Sequence, residues 1–171
     1  IAMRRHFHLQ LGLQISTDGG DTWSSPIFPT RPITSLAIDP NRPERIYAGV
    51  EGQGIFRSLN GGNDWTHLDN GLGERIGWRA PKIALGRDGR NGSLFVAVKI
   101  DNAVFTSTDG GDTFQARGVL SDAPSFLANW ANAIAVDPRN PDIIYAGDID
   151  TLYVTDDGGQ TWNDVGWDAA G

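Results

Sequence analysis

The chain has 171 residues, 39% of them hydrophobic, with no cysteine and a formal net charge of −7. That is enough apolar material for one cored domain, or for part of a larger one, but it supplies none of the basic surface that a phosphate backbone demands, so nucleic acid is set aside as a partner. Missing cysteine removes disulfides, thiolate catalysis and thiolate metal sites together, and since no stretch approaches the roughly 18 apolar residues of a span, no membrane insertion is expected.

The first ten residues, "IAMRRHFHLQ", begin with Ile and carry no apolar leader core, which reads as a trimmed, processed or incomplete chain. His6 and His8 alternate along one strand face and could supply two metal ligands; with no third in sight they read as surface residues, and no metal is expected. Residues 1–30 hold an apolar segment that can form a second and a third strand, followed by the turn "STDGGDTW" at Ser16 to Trp23, and no recognisable first strand. Residues 31–70 then give four apolar-rich runs, "ITSLAID", "RIYAGV", "GIFRSLN" and "WTHL", the last two separated by another GG turn. The same order returns over 80–118 and again over 130–167. The expectation is an all-β chain of four-stranded antiparallel meanders, three complete and one partial, spaced by the roughly 40 to 50 residues of a propeller blade.

One turn is written four times, with Ser16, Asp18, Gly20 and Trp23 recurring as Ser58, Asn60, Gly62 and Trp65, as Ser107, Asp109, Gly111 and Phe114, and as Thr155, Asp157, Gly159 and Trp162. In each copy the Asp or Asn can accept from the amides that follow it, the glycine pair supplies positive φ, and the Ser or Thr hydroxyl satisfies a neighbour. The aromatic residue then folds back under the turn, burying on the order of 150 to 250 Å². A calcium site at "TDDGGQ" is the rival reading. It lacks the six to eight oxygen ligands and the ligand spacing that calcium needs, and Asn60 in one copy fits hydrogen bonding better.

S/T-x-D/N-x-G-x-x-W/F after an apolar strand resembles the Asp-box, or BNR repeat, so the chain looks like an Asp-box β-propeller, similar to the propellers of sialidases, xyloglucan-type glycoside hydrolases, sortilin-type receptors and photosystem assembly factors. The resemblance implies that the boxes join third to fourth strands on the face opposite the ligand-binding loops. It also favours an extracellular or periplasmic setting over a cytoplasmic one.

If first strands line a central channel, the crossovers and the loops between second and third strands share the upper face. Trp78 and Trp130 then precede inner strands near the channel mouth, and Glu51, Gln53, Asp101, Asn102, Asp148 and Asp150 stand on the short loops. Aromatic faces beside carboxylates suit a sugar, with two acids for hydrolysis; alternatively the tryptophans fill interblade gaps and the acids are solvated. The sialidase Arg-Ile-Pro motif is absent. G-x-S-x-G, H-E-x-x-H and the P-loop pattern are absent too, "GLGERIG" has the wrong spacing for a dinucleotide loop, and "NGS" at Asn91 to Ser93 reads as a hairpin turn before it reads as a glycosylation sequon.

The sequence therefore points to a module that binds a protein or glycan through its upper face, with no cofactor and no assignable catalytic residue. A glycoside hydrolase, or a segment of one, is the alternative, and an assembly or scaffold factor the third. Three blades and part of a fourth cannot close a ring, so association with a second copy, with the rest of a longer chain or with a larger assembly is expected.

Overall fold

The computed structural model describes residues 11–73, 80–87, 94–100, 102–120, 133–147 and 151–165. Among these every regular element is a strand. β1 (Ile33–Ile38), β2 (Ile46–Val50), β3 (Gly54–Ser58) and β4 (Thr66–Leu68) form one antiparallel sheet in sequence order. β5 (Lys82–Arg87), β6 (Leu94–Ile100), β7 (Ala103–Ser107) and β8 (Gln115–Val119) form the second, and β9 (Ala133–Val136), β10 (Ile144–Gly147), β11 (Leu152–Thr155) and β12 (Asn163–Asp164) the third. β1 packs beside β5 and β5 beside β9, so the first strands are the innermost and the sheets stand side by side as blades. Residues 11–30 carry a box turn and a single bridge, Leu13 to Ile27, which is the outer part of a preceding blade. The segment expected to form its second strand lies outside the described residues, as do His6, His8 and the "NGS" turn.

Burial follows position in the row. Every residue of β6 and β7 is buried, because the second blade has a neighbour on both faces. One face gives Ile83, Leu94, Val96, Val98 and Phe105 to a core shared with Tyr47, Ile55 and Leu68 of the first blade. The other gives Phe95, Ala97 and Val104 to cores shared with Ile144 and Ala146 of the third. Hydrogen bonds stitch the inner seam: Thr34 Oγ1 donates to the Pro81 carbonyl at 2.8 Å and Lys82 Nζ to the Thr34 carbonyl at 2.6 Å.

Each box closes the turn between the third and fourth strands of its blade. The Ser or Thr hydroxyl accepts from the second glycine N–H at 2.7 to 2.9 Å in all four copies. That same hydroxyl donates to the Asp or Asn side-chain oxygen at 2.6 to 3.0 Å. The Asp or Asn in turn accepts a backbone N–H from four residues on, at 2.9 to 3.0 Å. Gly19 and Gly20, with φ of 78° and 102°, show why L side chains are avoided in the pair.

The second box reverses one polarity. In the other three a threonine hydroxyl, from Thr22, Thr113 or Thr161, donates to the aspartate. Here Asn60 donates its amide to the Asp64 carboxylate at 2.8 Å. The acid and its donor have exchanged places, so the clasp is one hydrogen-bond pair written in two forms.

The aromatics differ from the uniform burial expected. Phe114 is buried and Trp65 and Trp162 partly so, whereas Trp23 is 61% exposed. The indole N–H of Trp23 and of Trp65 donates to the carbonyl of its own turn, at Gly20 and Gly62. Burial of the rest comes from the preceding blade: Phe28 lies edge-on to Trp65 with ring centroids 5.8 Å apart, and Trp162 Nε1 donates to the Arg117 carbonyl at 2.8 Å. Among the described residues nothing plays that part for Trp23.

Two outcomes follow from this geometry. Asn60→Asp would set two carboxylates where one amide–carboxylate bond now stands, and should cost about 1 to 3 kcal/mol by chemical denaturation, with Asn60→Asp/Asp64→Thr restoring most of it; an equally unstable double variant would refute the exchange. The box acids also predict an acid limb. Donation from the Thr22 hydroxyl and amide holds Asp18 well below the usual carboxylate range, and donation from Thr161 does the same for Asp157. Burial pushes Asp109 up, but bonds from Ser107, Thr113 and the turn amides outweigh it and bring it to about 2. Groups lowered in the folded state stabilise it above their unfolded value near 3.8 and lose that contribution as pH falls through the folded value. The melting temperature should hold from neutral pH to about 5 and drop between about 4 and 2; a flat profile to pH 2 would contradict the clasp.

Candidate functional site

The upper ends of the blades were singled out by sequence, and the first blade shows how they are built. β2 and β3 pair from Ile46–Ser58 to Val50–Gly54, leaving a tight turn at Glu51, Gly52 and Gln53. The Glu51 amide donates to the Pro32 carbonyl and the Gln53 amide to the Val50 carbonyl, each at 3.0 Å. Both side chains are therefore carried on a fixed backbone and point into solvent. Arg31 lies against the same turn, since a Cβ added to Gly52 would stand 3.1 Å from its guanidinium. A carboxylate, an amide and a guanidinium thus share one exposed corner, a donor and acceptor set that suits hydroxyl-rich ligands. Asn102 occupies the matching turn of the second blade and is buried, its carbonyl accepting from the Leu120 amide at 2.9 Å.

Trp78, Trp130, Asp101, Asp148 and Asp150 lie outside the described residues. Glu51 is the one acid of the upper turns among those described, so this geometry brings no carboxylate pair together.

The opposite face holds a cluster that the sequence did not reveal. Asp39, which follows β1 and is 1% exposed, is held by Arg87 of the next blade through Oδ1 and by the Asn41 amide at 3.0 Å. Its Oδ2 faces Arg45 at 3.8 Å, with no hydrogen-bond partner among the described residues. Together with Arg42 and the Asp109 box turn these residues line a cavity of about 280 Å³ between the first two blades. A comparable cavity of about 440 Å³, lined by Arg117, Arg139 and the Asp157 box turn, lies between the second and third. In sequence Asp39 reads as a turn residue of "AIDPN"; only the 48-residue jump to Arg87 makes it an ion pair. Among the described residues no group of three or more His, Asp or Glu could hold a metal ion.

The BNR/Asp-box repeat family matches residues 14–25 and 153–164, the first and last of the four boxes. An oligoxyloglucan-reducing end-specific xyloglucanase of Emericella nidulans is 24% identical over an alignment covering 90% of this chain and 24% of the enzyme. Among solved structures, the GH74 xyloglucanase of Xanthomonas campestris superposes with a TM-score of 0.65 at 22% identity, covering 94% of this chain and 27% of that one. YCF48 from Cyanidioschyzon merolae superposes at 0.55 with 14% identity, covering 79% and 37%. The chain thus spans about a quarter of the length of the curated xyloglucanase. With the same clasp in the two boxes at Ser58 and Ser107 as in the two that match, and with three four-stranded sheets in register beside a partial one, the chain carries the BNR/Asp-box repeat on the blades of a partial β-propeller.

Proposed function

We propose that this stretch of propeller binds a neutral glycan of the xyloglucan kind at its upper face and performs no hydrolysis by itself. The observation that carries the reading is the alignment over 90% of the chain with an enzyme specific for xyloglucan oligosaccharides. The exposed corner of Glu51, Gln53 and Arg31 offers hydrogen bonds to sugar hydroxyls, and a net charge of −7 suits an uncharged polymer better than a polyanion. Trp78 and Trp130 supply the stacking faces, each just ahead of an inner strand, and Asp101, Asp148 and Asp150 complete the rim from the matching turns of the second and third blades. An extracellular or periplasmic setting accords with such a ligand.

Calorimetry with xyloglucan oligosaccharides, paired with a reducing-sugar assay, tests this. Binding without sugar release is expected, and Trp78→Ala or Trp130→Ala should each weaken it by about 1 to 3 kcal/mol. Release of reducing ends would make the chain a hydrolase segment, absence of binding would leave the scaffold reading, and loss of fold in both variants would put the tryptophans between blades.

A further inference from the structure

Glycine is the one residue whose main-chain nitrogen, unhindered by a Cβ, readily reaches the side chain before it. The chain has three Asn-Gly pairs, Asn60–Gly61, Asn70–Gly71 and Asn91–Gly92, the last outside the described residues. The fold treats the first two very differently.

Asn60 is clasped. Its Oδ1 accepts from the Ser58 hydroxyl at 3.0 Å and from the Asp64 amide at 2.9 Å, while its Nδ2 donates to the Asp64 carboxylate at 2.8 Å. The Gly61 N–H, which must be released before its nitrogen can attack, donates to the Glu44 carbonyl at 2.9 Å. Carboxamide and nucleophile are both occupied, and neither is freed without opening the box.

Asn70 has no such hold. It stands exposed between the outer strand of the first blade and the box of the second, in a turn closed by the Leu72 amide on the Asp69 carbonyl at 3.0 Å. Its Nδ2 donates to the Asp112 carbonyl at 3.2 Å, and among the described residues nothing bonds its Oδ1 or the Gly71 N–H. Residue 71 must nevertheless be glycine. Its φ is 87°, and a Cβ there would lie 2.0 Å from the Phe114 carbonyl oxygen. The close seating of the second blade's box thus sets the least hindered nucleophile directly after an exposed asparagine.

We infer that Asn70 is a site of spontaneous deamidation through a cyclic imide, that the change loosens the joint between the first and second blades, and that the clasp spares Asn60. The Gly71 nitrogen bonds to Asn70 Cγ, the Cγ–Nδ2 bond breaks, and the proton from Gly71 leaves with the side-chain nitrogen as ammonia. Water then opens the ring. Attack at Cγ restores the main chain with an aspartyl residue, whereas attack at the main-chain carbonyl routes the chain through Cγ and leaves a free α-carboxylate. Nothing is oxidised or reduced. Either product loses the donor to the Asp112 carbonyl and puts a negative charge in its place. The isoaspartyl product also adds a methylene to the chain next to the tight fit at Gly71, and displaces the Asn70 carbonyl that accepts from the Phe114 amide at 2.9 Å. The inference does not rest on the glycan reading.

To test it, the chain is incubated in mildly alkaline buffer, folded and in denaturing urea, and the tryptic peptide 58–75, which carries both residues, is sequenced by fragmentation mass spectrometry. In urea the two asparagines should be converted at similar rates. In the folded chain Asn70 should be converted at least about tenfold faster, since three clasp hydrogen bonds must open before Asn60 can react. Asp64→Ala should raise conversion of Asn60 and leave that of Asn70 unchanged. Equal rates in the folded chain, a difference that persists in urea, or conversion of Asn70 only in urea would each overturn the inference. Melting gives the second readout. Asn70→Gln, whose longer side chain closes an imide ring far less readily, should lose less melting temperature on ageing than the parent does; equal losses would overturn the claim on the joint.

Discussion

A four-stranded blade has two apolar faces and cannot bury either against itself. Every other feature of this chain answers that constraint. The second blade meets it in full, and its β6 and β7 are wholly buried. The first meets it on one face and on part of the other, where Ile15 and Phe28 lie against Gly62, Phe56 and Trp65 but leave Leu36 and Ile38 exposed. The third meets it on one face, with Tyr145 and Leu152 exposed as a result. At about 25 cal/mol per Å² of apolar surface, each covered face contributes far more than any one turn. The boxes act differently: they fix the path between third and fourth strands so that the outer strand arrives in register, and they offer glycine carbonyls and an aromatic edge to the blade before them.

What the sequence made legible was what is local. The four turns could be read residue by residue, because hydroxyl, carboxamide or carboxylate and glycine pair all act within about eight positions of one another. Strand number and order followed from the spacing of apolar runs. The exchange at Asn60 and Asp64 was also present in the letters, as "NGGND" against "DGGDT". Its meaning needed the geometry, since only there does the amide face the carboxylate. Burial was not legible where it depends on a neighbour: four equivalent aromatics suggested four equivalent environments, yet Trp23 lacks the covering blade that Trp65 and Trp162 have among the described residues.

The candidate site divides in the same way. Glu51 and Gln53 could be placed on a turn from their flanking strands, and they stand there. Arg31 joins them from a segment that carried no signal of its own. The Asp39, Arg45 and Arg87 cluster escaped notice because its members belong to different blades, and a buried carboxylate held by guanidinium groups has no short-range signature. Its place between blades makes it part of the seam, alongside the Tyr47 and Arg57 bonds to Gly110.

The central claim is that each blade owes its stability to the face its neighbour presents. Amide hydrogen exchange resolved by strand tests it most directly. Protection should be greatest in β6 and β7, which are buried throughout, and weaker in β10 and β11, which are not. Equal protection of the second and third sheets would contradict the account.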